Sequence, residues 1–479
     1  MKKIILIRNT FRIHENPLLE YYNKEDDVSI IFIIDTNRLL TINNITPKLT
    51  SDNIDSIDII SYDNEKNKGH FAWGYHQYYL LLKCIQNHQI QLNKMDIPSY
   101  ILKGECCTIL KLLSKTFTEC ITDIVDDPAV FQMNNFIKKY FDKSTFVCTH
   151  TLIDWHNDHN HQKMSNQKFK TIFMEKYYPL IRKDSIFSNN NTKKHKKRSI
   201  LTKSKYLYND IDTEISDIYD LFKKHNVNPI HIDNDDVEQH ALNLLERSVS
   251  VFKMNNTKWF KPDTASDLLF DSEDSLSPFL NTSKLSPFLA IGAISCIKVF
   301  HEWNTHSEFA RIQSSAIGQL LWRELFHAAS TLPYYWELHH TTLKPEKTFW
   351  KEYDWDHYTT NNSYYLEWIK GNTSYEDTDE AMYILARDGW IHHLRRHVVA
   401  DYLTRGHAKC DWMLGEGWFR QTLVDHDAAV NRANWLWLSA SAFSYKQSFI
   451  HYKHSDYVTR QSATSRKKLD PKKNSKKKQ

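Results

Sequence analysis

Two histidines one helical turn apart are the first residues whose spacing suggests chemistry. They stand in Gly389-Trp390-Ile391-His392-His393-Leu394-Arg395-Arg396-His397. On a helix, His393 and His397 at i and i+4 lie one above the other. That spacing can bind zinc, but no Glu intervenes and no third ligand stands nearby, so no metal is expected. A lone His is usually a packed core residue. A stacked pair beside two arginines suits acid–base or anion-binding work.

Three other segments carry polar groups in patterns that could hold a ligand. Thr282-Ser283-Lys284-Leu285-Ser286-Pro287 gathers three hydroxyls and a lysine before the apolar run Phe288–Ile291. Hydroxyls and free N–H groups at a helix start suit a phosphate, although Ser or Thr there is usually an ordinary cap. In Gln319-Leu320-Leu321-Trp322-Arg323-Glu324-Leu325-Phe326, three-four spacing puts Gln319, Trp322, Arg323 and Phe326 on one helix side. An amide beside an indole could line a base-binding pocket, and a core Trp with a surface Arg–Glu pair is the commoner alternative. In Leu423–Trp437, Asp425, Asp427 and Asn431 precede the pair Trp435 and Trp437. Acids and an amide near indoles could read the polar edge of an aromatic cofactor.

The elements that must position these residues follow from the rest of the chain. Its 479 residues exceed one ordinary core. Short apolar runs at Ile4–Ile7, Ser29–Ile34, Tyr100–Leu102 and Thr145–Cys148 alternate with helical stretches such as Trp73–Asn87, which implies a parallel α/β sheet. Residues 1–155 are assigned to this domain. Residues 156–205 read as a linker containing the basic run Lys193–Arg198, a solvated loop, an import signal or a phosphate contact. Residues 206–453 read as mostly helix, with long amphipathic helices expected over Gln313–Ser330 and Asp379–Leu403. Residues 454–479 read as a basic disordered tail.

Only ten glycines argue against a fold built on glycine-rich phosphate loops. Seven scattered cysteines, with no signal-peptide pattern, fit reduced thiols in an intracellular protein. No run is long and apolar enough to cross a membrane. The net charge of +4 is concentrated at the end: residues 460–479 hold nine Lys/Arg and one Asp, and the remainder is −4. A nucleic-acid site must therefore be a local patch, or use the tail.

In their order, the four segments resemble the photolyase/cryptochrome family. The resemblance is most specific between Thr282 and Trp437, and Ile5–Pro17 is similar to the family's opening strand and loop. It implies an α/β domain, of the kind that carries an antenna, followed by an all-α FAD-binding domain. By the same resemblance Thr282, Ser283, Lys284, Leu285 and Ser286 hold the FAD phosphates. Asp425 and Asp427 bind flavin and ribose, Arg396 pairs with Asp425, and Asn431 faces flavin N5. Trp435, Trp412 and Trp355 resemble the chain that photoreduces FAD, with Tyr358 the alternative outer member. Gln319, Trp322, Arg323 and Trp437 join the histidines around a flipped lesion in UV-damaged DNA. A second antenna chromophore, of folate or deazaflavin type, is also implied.

The His pair and Leu403-Thr404-Arg405-Gly406 are similar to (6-4) photolyases and animal cryptochromes. A histidinium at His393 or His397 could protonate a (6-4) lesion as it receives an electron, and the adjacent Arg395 and Arg396 would lower the histidine pKa until lesion phosphates arrive. Arg395, Val398, Val399, Lys409 and Arg432 depart from the family's commoner residues. Three readings follow: a (6-4) photolyase, a cryptochrome photoreceptor, and a photolyase for cyclobutane dimers. Each implies a DNA-associated protein, nuclear in a eukaryote, not secreted and not membrane-bound, and expected to be a monomer.

Overall fold

The structure, a computed structural model, describes residues 2–23, 28–38, 73–158, 166–181, 199–255, 282–304, 316–332, 335–336 and 362–439. Trp355, Tyr358, the basic run 193–198 and the tail 454–479 lie outside the described residues.

The first part is a five-stranded parallel sheet. Its elements are β1 (Lys3–Ile7), α1 (Pro17–Asn23), β2 (Val28–Asp35), α2 (Tyr75–Lys94), β3 (Ser99–Gly104), α3 (Cys106–Leu113), β4 (Glu119–Asp123), α4 (Pro128–Tyr140) and β5 (Lys143–Val147). The order is β3-β2-β1-β4-β5, with Ile5 opposite Ile30 on one side and Ile121 on the other. All five residues of β1 are buried, as a central strand covered on both faces requires.

The four expected strands are present, and β4 is the one the pattern missed. Its sequence, Glu-Cys-Ile-Thr-Asp, does not look apolar, yet every residue is buried. Tertiary partners make that tolerable. Lys3 and Lys143 lie 3.1 and 3.0 Å from the Glu119 carboxylate. Asp123 accepts from the Arg8 and Asn9 amides and the Thr10 hydroxyl.

Beyond the sheet the chain is helical: α5 (Asn166–Ile172), α6 (Ser199–Thr202), α7 (Ile211–Lys224), α8 (Val237–Asn255), α9 (Ser286–Ala290), α10 (Cys296–Asn304), α11 (Ala316–Ser330), α12 (Ser363–Lys370), α13 (Glu376–Asp388), α14 (His393–Leu403), α15 (Trp412–Thr422) and α16 (Ala428–Leu438). A parallel-sheet part followed by a helical part is the fold class expected. Helix α7 docks on α2, where Glu214 accepts from Tyr78 (2.7 Å) and Lys103 (2.8 Å). One apolar core runs from Ile5 and Phe32 through Phe288 to Trp412 and Trp435.

The single helix expected over Asp379–Leu403 is two helices. Gly389 caps α13 at φ 65°, a left-handed conformation natural to glycine, and a Cβ there would lie 2.4 Å from the His76 ring. The break lets α14 start at His393 and turn its first two turns toward the acids before α16.

Candidate functional site

Two adjoining cavities, of about 330 and 260 Å³, lie between α9, α11, α14 and the segment leading into α16. They share Gln319, Arg323, His393, Arg396, Asp425, Asp427 and Val430 as a common wall. Taken together, their volumes belong to the size class of cofactor pockets, roughly 300–1,000 Å³. Thr282–Ser286 line the smaller cavity, and His397, Asn431, Trp435, Trp437 and Trp322 line the larger.

Each wall has a local cause. Before α9, the Thr282 and Ser283 hydroxyls accept from the Lys284 and Leu285 amides at 3.3 and 3.4 Å. Lys284 itself sits at φ 52°. The helix starts at Ser286, after Leu285, which offers no side-chain cap. Ser286 Oγ instead accepts from the Trp390 indole at 3.2 Å. Burial, with Arg247 nearby, brings Lys284 down to about 8.

On α11, Gln319, Trp322, Arg323 and Phe326 do face one cavity. A surface Arg–Glu pair is not what forms beside them. Glu324 is wholly buried and accepts from the Leu152 amide (3.0 Å) and Trp155 indole (2.9 Å). Arg323 donates to the His150 carbonyl at 2.7 Å and to Asp427 at 3.4 Å. The Trp322 ring lies 6.1 Å from Trp437 and 5.5 Å from Phe326.

On α14, the His393 and His397 rings meet edge-on at 6.0 Å, and His397 lies 5.6 Å from Trp437. Burial is the main reason both titrate low. His393 falls well below its ordinary value, with His392, His397 and Arg396 adding to the effect. His397 falls to about 4, with Arg405 and Arg396 adding. Arg395, expected to contribute, turns away to Glu380 at 3.0 Å, and chain adjacency misplaced its influence. Arg396 pairs with Asp425 at 2.8 Å, the partner expected of it.

The acids stand where α16 begins. Asp427 caps the helix by accepting from the Val430 amide. Its other oxygen gathers His327 Nε2 (3.0 Å), His150 Nε2 (3.2 Å) and Arg323 (3.4 Å). His327 Nδ1 faces Asp126 at 3.3 Å, and Asp126 in turn meets His156 at 2.7 Å. Burial works against a charge on His327, but Asp427 and Asp126 outweigh it and raise it to about 9. Nothing local in the sequence signals this cluster, because His150 and Asp427 are 277 residues apart. The ligand atoms of His150, His327 and Asp427 lie within 4.8 Å of one another. The Arg323 guanidinium beside the same carboxylate oxygen opposes a metal ion there.

On α16, Asn431 donates to the Glu416 carbonyl at 3.0 Å, which fixes its amide beside the larger cavity. Trp435 is buried against Gly415, where a Cβ would lie 2.1 Å from its ring. The rings touching Trp435 are Phe419 (5.0 Å) and Trp368 (6.2 Å). Trp412 is fully buried on α15 but makes no ring contact with Trp435. Trp368 was missed because its spacing from Trp435 carries no signal within either helix.

A flavin dinucleotide fits these walls on two observations. Asp425 Oδ1 is a buried acceptor with no hydrogen-bond partner among the described residues, although Oδ2 is paired to Arg396. Both ring nitrogens of buried His426, which lines the larger cavity, are likewise unpartnered. Such groups need a ligand or water. A third cavity, at the reversal of strand order between β1 and β4, is lined by Arg8, Arg38, Asp126 and His150. Its described walls enclose about 90 Å³, too little for a folate or deazaflavin, and no second chromophore is assigned to it.

Comparison with known proteins agrees with this cofactor. Residues 316–474 match the family described as the FAD binding domain of DNA photolyase. Over 172 residues, 35% of this chain, the sequence is 36% identical to cryptochrome-2 of Gallus gallus, of which 28% is covered. Over 174 residues, 36% of this chain, it is 34% identical to the (6-4)DNA photolyase of Oryza sativa subsp. japonica, of which 30% is covered. The chain thus matches under a third of the length of these curated relatives. The archaeal photolyase of Sulfolobus tokodaii, solved with two FAD molecules, superposes with a TM-score of 0.67 at 18% identity, covering 98% of this chain and 90% of that one. A class III photolyase of Agrobacterium tumefaciens gives 0.61 at 20% identity, with 98% and 90% covered. The segment 316–474 is thus similar to the FAD binding domain of DNA photolyase, and the chain's fold is similar to that of the solved photolyases.

Proposed function

We propose that this protein is a light-driven DNA repair enzyme acting on (6-4) pyrimidine–pyrimidone photoproducts. The observation that carries this reading is the edge-on pair His393 and His397, half-buried in the same cavity wall as Trp322, Trp437 and Asn431. Bound FAD, reduced and excited by light, supplies an electron. Thr282–Ser286 would take its phosphates, and Asp427 its ribose. Asp425, held by Arg396, would take the flavin's polar edge, with Asn431 beside N5.

The chain's own part is binding and proton handling. Trp322 and Trp437 present indole faces on which an extruded base can stack, while Gln319 and Arg323 offer donors at its edge. The two histidines are neutral in the free protein, since burial holds both low. Lesion phosphates would raise them, so that one ring nitrogen carries the proton to the lesion only with substrate in place. A (6-4) lesion needs a group moved between two bases, and a positioned acid serves that transfer. Trp435, Trp412 and Trp355 are assigned to electron supply. The boundaries at residues 155, 205 and 453 are part of the same proposal.

A cryptochrome reading has one observation in its favour: cryptochromes match as long a stretch of the chain, and as closely, as (6-4) photolyases do. Blue-light repair assays on DNA carrying one defined lesion decide between the readings. Restoration of (6-4) sites alone is expected. Photoreduction without repair of either lesion would make the protein a photosensor, and repair of cyclobutane dimers alone would leave the histidines without a part in the chemistry.

A further inference from the structure

Arg432 is 5% exposed on α16, beside Asn431. Its guanidinium carbon lies 5.0 Å from the centroid of the Trp412 ring. The group is firmly held. Nη1 donates to the Glu416 carboxylate at 3.0 and 3.3 Å, Nε to the Tyr335 carbonyl at 3.2 Å, and Nη2 to the Trp336 carbonyl at 3.5 Å. A neutral indole attracts such a cation through its negative face. An indole that has lost an electron repels it, and burial leaves that repulsion poorly screened.

Trp412 has no easy relief from the repulsion. Its ring is fully buried, and its Nε1–H has no acceptor among the described residues, so an oxidised ring keeps its proton. Trp368 differs on each point. It touches Trp435, its Nε1–H donates to the Val399 carbonyl at 2.9 Å, and no cation lies over its ring among the described residues.

We propose that Arg432 sets the oxidation potential of Trp412, making it harder to oxidise than Trp368, with Glu416 as the counter-charge that limits the effect. This rests on the proposed role of Trp435 as the donor to the photoexcited cofactor. In the step concerned, Trp412 loses one electron and oxidised Trp435 regains it. No bond forms or breaks, the Nε1 proton stays, and an added thiol finally refills the hole. Removing the cation should ease this step, and removing the counter-charge should hinder it.

Flash photolysis of the FAD-loaded full chain tests the proposal, read as yield and lifetime of oxidised tryptophan. Arg432→Gln should raise the lifetime at least about tenfold. Glu416→Gln, which keeps the guanidinium on its backbone carbonyls, should shorten it. Arg432→Lys should stay near the parent. Both Gln effects should vanish in a Trp412→Phe background. As a readout independent of light chemistry, the flavin-free Arg432→Gln protein should show a tryptophan fluorescence difference from its parent, absent with Phe at 412. Loss of that difference would overturn the contact. Equal or same-signed kinetics in the two Gln variants, with Trp412→Phe still slow, would overturn the potential-setting role alone. A kinetically silent Trp412→Phe would remove Trp412 from the electron path, and the proposal with it.

Discussion

Two histidine clusters flank the acids ahead of α16, one half-buried and one centred on the buried His327, and they hold opposite protonation. His393 and His397 look into the larger cavity, with Arg396 and Arg405 as the charged groups acting on them. Both are neutral. His327 is at least as buried but is clasped by Asp126 and Asp427, and it is charged. Burial pushes every one of them toward neutrality, so the carboxylate partners decide the outcome. The neutral pair can take up a proton when an anionic ligand arrives. The clasped one is a fixed charge that holds Asp427 ionised, well below the usual carboxylate range.

The sharpest break in this comparison is chemical. His393→Asn and His397→Met should each lower (6-4) repair by about 10²–10⁴-fold, the contribution of a positioned acid. FAD content, photoreduction and lesion affinity should hold. His327→Leu should leave the proton-transfer step unaltered at equal cofactor loading. A repair rate equally low in all three would mean the clusters do not differ in kind.

Next in size is stability. His327→Leu strands Asp126 and Asp427 in the interior with fewer partners, and should cost about 3 kcal/mol by denaturant unfolding. His397→Met removes a neutral ring and should cost less than half of that.

Legibility follows the same division. His393 and His397 are four residues apart, so helical periodicity stacked them on one side, and the family resemblance supplied Arg396 and the acids of the next segment as their neighbours. The apolar strands were legible because burial on both faces leaves an apolar run, whereas β4 hides behind Glu119 and Asp123, whose partners come from other strands. His327 was missed for the same reason. What makes it special is Asp126 and Asp427, some 201 and 100 residues away. Trp368 likewise meets Trp435 only through the packing of α12 on α16. Short-range pattern finds what one element presents, and cannot find what two elements trap.

Stability against pH should show both clusters at once. His327 is raised from 6.5 to about 9, so its contribution is complete below pH 6.5 and is lost as pH climbs through 9. His397 is lowered from 6.5 to about 4, so the unfolded chain alone takes up its proton between these values, and stability falls as pH drops from 6.5 to 4. A maximum near pH 6.5 is expected, with each limb worth up to about 1.4 kcal/mol per pH unit per group. His327→Leu should flatten the alkaline limb only, and His397→Met should soften the acid limb only.

The smallest effect tests whether helix direction or chain adjacency governs the neutral pair. Arg395 stands between His393 and His397 in sequence, yet it reaches out to the half-exposed Glu380, and a pair of that kind contributes about 0–1 kcal/mol. Among the three histidines of this segment its charge bears on His392 alone, behind burial, Arg396 and His397. Arg395→Gln should therefore raise the His392 midpoint slightly in a ring-resonance titration by NMR. The His393 and His397 midpoints, and the pH profile of repair, should stay where they were. Equal upward shifts at all three would show that the arginine's charge reaches the cavity despite its orientation, and the neutrality of the pair would then owe less to burial than the geometry of α14 implies.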